Sequence, residues 1–143
     1  MLTLDTSVAD KIWENWLRMW NEDSDIAHDI ISPAGYVLHL PDATATIDPS
    51  TISGPAEMSK WVAGFTGKFE GLRYTTDFGP FVDGNERRFA YRWIGTGRWT
   101  GATGWPHDIP GREALFVGVD IFQVDEALQI TECWSQGAVT RTT

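Results

Sequence analysis

The hydrophobic period of this chain changes once, near residue 70. Up to Gly67, apart from a short extended run at residues 35–40 and a poorly patterned stretch after it, the apolar residues recur at helical spacing, and from Leu72 onward they alternate as in strands. Across residues 7–20, Ala9, Trp13, Trp16 and Trp20 share a stripe opposite Lys11, Glu14, Asn15 and Arg18, which predicts an amphipathic helix capped by Thr6 or Ser7. A second, short helix is predicted over 23–31. It stops before Pro33, because proline pushes its predecessor out of helical geometry. Residues 35–40 read as a short strand. Gly54-Pro55-Ala56-Glu57 then supplies a cap, a first-turn proline and an acid suited to the helix dipole. Met58, Trp61, Val62 and Phe65 follow at helical spacing. Extended segments are predicted over 72–81, 87–97, 112–124 and 127–134, with turns at Asp83-Gly84 and Asp125-Glu126. Helices ahead of one antiparallel meander imply an α+β domain whose sheet curls around the helices.

A chain of 143 residues fits a single domain with one core. Its formal charge of −9 repels phosphate backbones and anionic lipid surfaces, so neither nucleic acid nor membrane is an expected partner. Cys133 is the only cysteine, which excludes an intrachain disulfide and suits a reducing cytoplasm. Residues 1–5 carry no basic or continuous apolar region of the kind a secretory signal needs. A cytoplasmic location is expected.

Asp120 interrupts an apolar run, Leu115-Phe116-Val117-Gly118-Val119-Asp120-Ile121-Phe122-Gln123-Val124. Acids are depleted from strand interiors, and an ionised one is costly to bury unpaired. Alternation puts Phe116, Gly118, Asp120, Phe122 and Val124 on one face. Two readings follow. The carboxylate pairs with an arginine such as Arg92, or it sits in an aromatic cavity where desolvation raises its pKa and suits it to proton exchange.

Gly95-Thr96-Gly97, Trp99-Thr100-Gly101, Ile109-Pro110-Gly111-Arg112, the 118–124 segment and Ile130-Thr131-Glu132-Cys133-Trp134, with Ile52-Ser53-Gly54-Pro55 upstream, together resemble the SnoaL-like polyketide cyclases of the NTF2-like superfamily. The resemblance covers nearly the whole chain. It implies a cone-shaped α+β barrel, three helices against a strongly bent sheet with a pocket between them, and commonly a homodimer through the outer sheet face. It also implies that Asp120, in the Gly-x-Asp-x-Phe segment, is the general acid/base. The sequence departs from the pattern at Trp99, where relatives often carry histidine. The superfamily includes ketosteroid isomerases, limonene-epoxide hydrolases, dehydratases and non-catalytic binding modules, so fold alone does not choose the reaction.

Three residues are candidate catalysts: Asp120 as acid/base, Arg92 as enolate donor if it follows Ala90 and Ile94 into the cavity, and His39. Tyr36, Trp61, Trp93, Trp99, Trp105, His107, Phe122, Glu132 and Trp134 are candidate substrate contacts. Trp13, Trp16, Trp20 and Trp61 lie on helix faces that equally suit a core. Glu132 shares a presumed face with Ile130, Trp134 and Gln136; beside Asp120 it would make an acid/base pair suited to epoxide opening. The histidines lack metal-ligand spacing, and no phosphate loop, dinucleotide fingerprint or nucleophile elbow is present, so neither metal nor cofactor is implied. The expectation is a cofactor-independent cyclase or isomerase acting on a small, largely apolar carbonyl compound. The alternatives are an epoxide hydrolase or dehydratase, and a ligand-binding or dimerisation module.

Overall fold

The computed structural model describes residues 2–41 and 47–139. Helix α1 spans Thr6–Asn21, α2 Ala27–Ile30 and α3 Pro55–Thr66; the strands are β1 Val37–His39, β2 Phe69–Asp83, β3 Arg88–Trp99, β4 Glu113–Val124 and β5 Ile130–Val139. The sheet order is β1-β5-β4-β3-β2, with β2 to β5 an antiparallel meander and β1 parallel to β5 at one edge. Three helices against one curved, unclosed sheet make the expected α+β cone.

The local chemistry explains most boundaries. Asp5, one residue ahead of the expected cap, accepts the Val8 N–H at 2.9 Å and starts α1. The predicted second helix is divided: Asp23 caps a 3-10 turn, Ser24–Ile26, before the single α-turn of α2. Gly54, Pro55 and Glu57 occupy their expected places at the start of α3. Strand β2 starts three residues earlier than predicted. Its register slips at Glu70/Arg73, Thr76/Phe78 and Phe78/Phe81, and such bulges bend a strand. Among the described residues no helix is long and apolar enough to cross a membrane.

The core lies between the helices and the concave face of the sheet. Strands β3 and β4 send Phe89, Tyr91, Trp93, Phe116 and Phe122 inward, where they meet Trp13, Trp16 and Met19 of α1. Trp13 stacks on Tyr91 at 4.6 Å, and Trp16 meets Phe122 edge-on at 4.8 Å. Asn21 fastens the end of α1 to β2, donating to the Tyr74 carbonyl at 2.8 Å and accepting the Tyr74 N–H at 2.7 Å. These contacts fix the helices over the concave face of the sheet, where a hollow remains.

Candidate active site

The hollow is a cavity of about 110 Å³ between α1, α3 and strands β2 to β5. Trp16 and Trp20 of α1, Trp61 and Phe65 of α3, Tyr74 of β2 and Trp93 of β3 supply most of its ring surface. Asp120 is the only acid lining it among the described residues, and neither lysine nor arginine joins it. The alternation of β4 is as the sequence predicts: Phe116, Gly118, Asp120, Phe122 and Val124 all point inward. In the register across the sheet Asp120 stands between Tyr91 and Ser135.

Asp120 is 5% exposed. Burial pushes its pKa up to about 6, while Ser135, Trp93 and Trp16 pull it partway back by favouring the charged form. Trp16 Nε1 donates to Oδ2 at 3.1 Å. The other oxygen, Oδ1, is buried with no partner among the described residues. The titratable neighbours are neutral at pH 7: burial raises the Tyr74 and Tyr36 phenols and the Cys133 thiol, and the negative charge of Asp120 raises each further. This is a desolvated carboxylate beside a ring-lined space, with one buried oxygen that no described residue hydrogen-bonds.

Of the other predicted contacts, Trp61, Trp93 and Trp105 line this cavity. Phe122 and Trp99 are buried and do not; Phe122 packs beneath Trp13 and Trp16, and Trp99 belongs to the core beside Phe69 and Phe116. His107 sits exposed on the Trp99 ring, outside the hollow. Tyr36 is buried behind it, its hydroxyl donating to Met58 Sδ at 3.9 Å.

Arg92 does not point inward. Strand β3 turns Phe89, Tyr91 and Trp93 to the core, so Arg92 lies outside with Ala90 and Ile94 and pairs with Asp77 at 3.0 Å. Apolar residues occupy both faces of β3, so alternation alone does not select the inner one. His39, Glu132 and Trp134 likewise form an outer-face cluster. His39 Nε2 meets Glu132 Oε2 at 2.5 Å and its ring stacks on Trp134 at 5.2 Å. The cause is a bulge: Gln123 pairs with Glu132 and Val124 with Ile130, leaving Thr131 as an extra residue. One inserted residue exchanges the faces of everything beyond it. Ile130 therefore stays in the core while Cys133, Ser135 and Gly137 take the inner positions in place of Glu132, Trp134 and Gln136.

Sequence reasoning missed Trp16 as the partner of Asp120, and Tyr74 and Ser135 as cavity residues. A usable signal was present in the glycines: a Cβ at Gly118 would lie 2.4 Å from the Trp93 ring, and one at Gly137 2.7 Å from it. Glycines at facing positions of two adjacent strands mark the seat of a large ring.

No family model and no curated protein matches the sequence. Solved structures do. TsrD from Streptomyces laurentii aligns with a TM-score of 0.72 at 22% identity, over 94% of this chain and 90% of that one. A candidate polyketide cyclase from Acidithiobacillus ferrooxidans aligns with a TM-score of 0.70 at 21% identity, over 91% and 87%. A candidate isomerase of the SnoaL-like family from Agrobacterium tumefaciens aligns with a TM-score of 0.57 at 17% identity, over 92% and 98%. The fold is therefore the NTF2-like cone that the sequence resemblance led us to expect.

Proposed function

We propose that this chain is a cofactor-independent acid/base enzyme of the cyclase or isomerase type, in which Asp120 moves a proton on a compact, largely apolar carbonyl compound. The observation that carries the reading is the unpartnered Oδ1 of Asp120 beside an aromatic cavity, with a pKa of about 6. At neutral pH the carboxylate is mostly ionised yet poorly solvated, which makes it a stronger base than an exposed aspartate. It takes a proton from the carbon next to the carbonyl; the C–H electrons form a carbon–carbon double bond, and the carbonyl π pair moves to oxygen. The enolate then attacks a second carbonyl of the same molecule or is reprotonated at another carbon. Asp120 returns the proton in either case, so the cycle needs no oxidant, reductant or co-substrate.

The cavity volume of about 110 Å³ is below the ~300 Å³ at which pockets for drug-sized ligands begin, which favours a compact guest. Epoxide opening loses its second acid, because Glu132 is on the outer face.

The test is exchange of the α-protons of 2-tetralone, a bicyclic ketone, followed by NMR in D2O. The wild-type chain should accelerate exchange over buffer, with a rate that rises through about pH 6 as Asp120 ionises. Asp120→Asn should reduce that acceleration by about 10²–10⁴-fold while leaving the thermal unfolding transition cooperative. Binding of 2-tetralone without any acceleration, or full acceleration by the variant, would return the chain to the class of binding modules.

A further inference from the structure

Two buried polar atoms of the cavity-lining residues have no partner among the described residues: Oδ1 of Asp120 and Nε1 of Trp93. One is an acceptor and the other a donor. They are neighbours. Trp93 faces Gly118 across the β3–β4 register, two residues before Asp120 on the same inner face, and its N–H approaches the carboxylate closely enough to favour the charged form. It does not close a hydrogen bond to it. Leaving a buried donor unsatisfied costs about 1–3 kcal/mol; the acceptor the protein places nearby, the Asp120 carboxylate, does not close a bond to it, so the N–H has room to engage an acceptor brought by a guest.

The direction of that N–H is set by packing. The Trp93 ring lies across β4 and β5 in a slot that exists because Gly118 and Gly137 have no side chains. Tyr74 closes the other side, edge-on at 5.3 Å. Trp93 is 8% exposed, so the indole is held in place before any guest arrives. A donor fixed in this way stabilises a developing negative charge without reorganising.

We propose that Trp93 is a catalytic residue, the hydrogen-bond donor to the carbonyl oxygen of the substrate, and that the site selects compounds presenting this oxygen next to an acidic C–H. The inference rests on the acid/base role of Asp120. When the proton leaves carbon, the negative charge passes from Asp120 Oδ1 to the substrate oxygen, and Trp93 Nε1–H meets it there. The total charge in the cavity is unchanged by the step, so a neutral donor suffices where neither lysine nor arginine lines the wall.

The pH–rate profile of 2-tetralone exchange in Trp93→Phe, which keeps a ring in the slot and removes the N–H, separates the possible roles. A donor to substrate should lower the plateau at high pH on the order of 100-fold. A kept plateau overturns the proposal: with the limb moved to higher pH, Trp93 only holds Asp120, and with the whole profile unchanged, it is wall. A plateau lost in Tyr74→Phe but kept in Trp93→Phe would assign the role to the phenol instead. Should Trp93→Phe fail to fold, the wild-type chain labelled with 15N-tryptophan gives the answer. One indole N–H resonance should move downfield with 2-tetralone and stay in place with tetralin, the hydrocarbon lacking the oxygen; equal responses overturn the proposal. That shift should persist in Asp120→Asn, so a failed donor and a failed base leave different records.

Discussion

Asp120 and Glu132 lie on adjacent strands of one sheet, and each receives a ring nitrogen, from Trp16 in one case and from His39 in the other. Their surroundings differ in water. The Glu132 side chain is 31% exposed and His39 42%, Trp134 stacks on the imidazole and Arg88 lies over the Trp134 ring, so the outer cluster is satisfied by itself and by solvent. Asp120 is enclosed, holds one hydrogen bond and keeps one oxygen without any. The comparison separates a polar cluster that completes a surface from one that does not complete itself: the second keeps a donor and an acceptor that no described residue satisfies, and these are the atoms the proposed reaction uses.

Two experiments test the inner half of that contrast. The largest effect is expected from Gly118→Ala. Its Cβ would lie 2.4 Å from the Trp93 ring and 2.6 Å from the Gln136 carbonyl oxygen, contacts that neither a packed indole nor a strand backbone can relieve cheaply. We expect a loss of at least about 3 kcal/mol in urea unfolding, at the upper end of overpacking costs. An unchanged midpoint and slope would mean that the indole does not rest on β4.

The next effect is electrostatic. The pKa of Asp120 rises from 3.8 to about 6 on folding, so the folded state prefers the protonated form. Its contribution is therefore fully present below the unfolded pKa and is lost as pH climbs through about 6. A gap of just over two units corresponds to about 3 kcal/mol at most. Asp120→Asn has no such titration. Its stability relative to wild type should improve by up to that amount between about pH 4 and about pH 7, with the other titrating groups cancelling in the difference. A difference independent of pH would show that Asp120 ionises at no cost, and the dry cavity would lose its basis.

The two halves of the contrast were not equally legible in the sequence. Strand β4 could be read because its inner positions, Phe116, Phe122 and Val124, are large and apolar while its outer ones include Glu113 and Gln123. Strand β3 could not, since Ala90 and Ile94 outside compete with Phe89, Tyr91 and Trp93 inside; the choice of face is made by what α1 offers to pack against. In β5 the inner residues after Thr131, namely Cys133, Ser135 and Gly137, are small while Trp134 lies outside, so the residue pattern does not mark the inner face, and no local residue announces the inserted one. Its position follows from pairing with β4, a long-range property. The caps, the proline and the turn at Asp83-Gly84 are short-range chemistry, and these elements appeared where expected to within a few residues. The cavity itself depends on how three helices meet a bent sheet. Tryptophans on an amphipathic helix predict burial without saying whether the far side of the ring meets protein or an open space.

The smallest effect is expected on the outer face, and it guards the assignment of faces. Half-exposed ion pairs contribute about 0–1 kcal/mol, and the near-parallel stacking of His39 on Trp134 adds about 1 kcal/mol. A double-mutant cycle of His39→Ala and Glu132→Gln should therefore give a coupling below about 1 kcal/mol that shrinks as salt is added. Both variants should exchange 2-tetralone protons within about twofold of wild type, because an outer-face carboxylate acts on the cavity only through the thickness of the sheet and is screened by solvent on its own side. A large loss of exchange in Glu132→Gln would mean that β5 presents its other face. In that case the bulge at Thr131 is absent, Glu132 joins Asp120 in the hollow, and the two-carboxylate chemistry of epoxide opening returns in place of enolate chemistry.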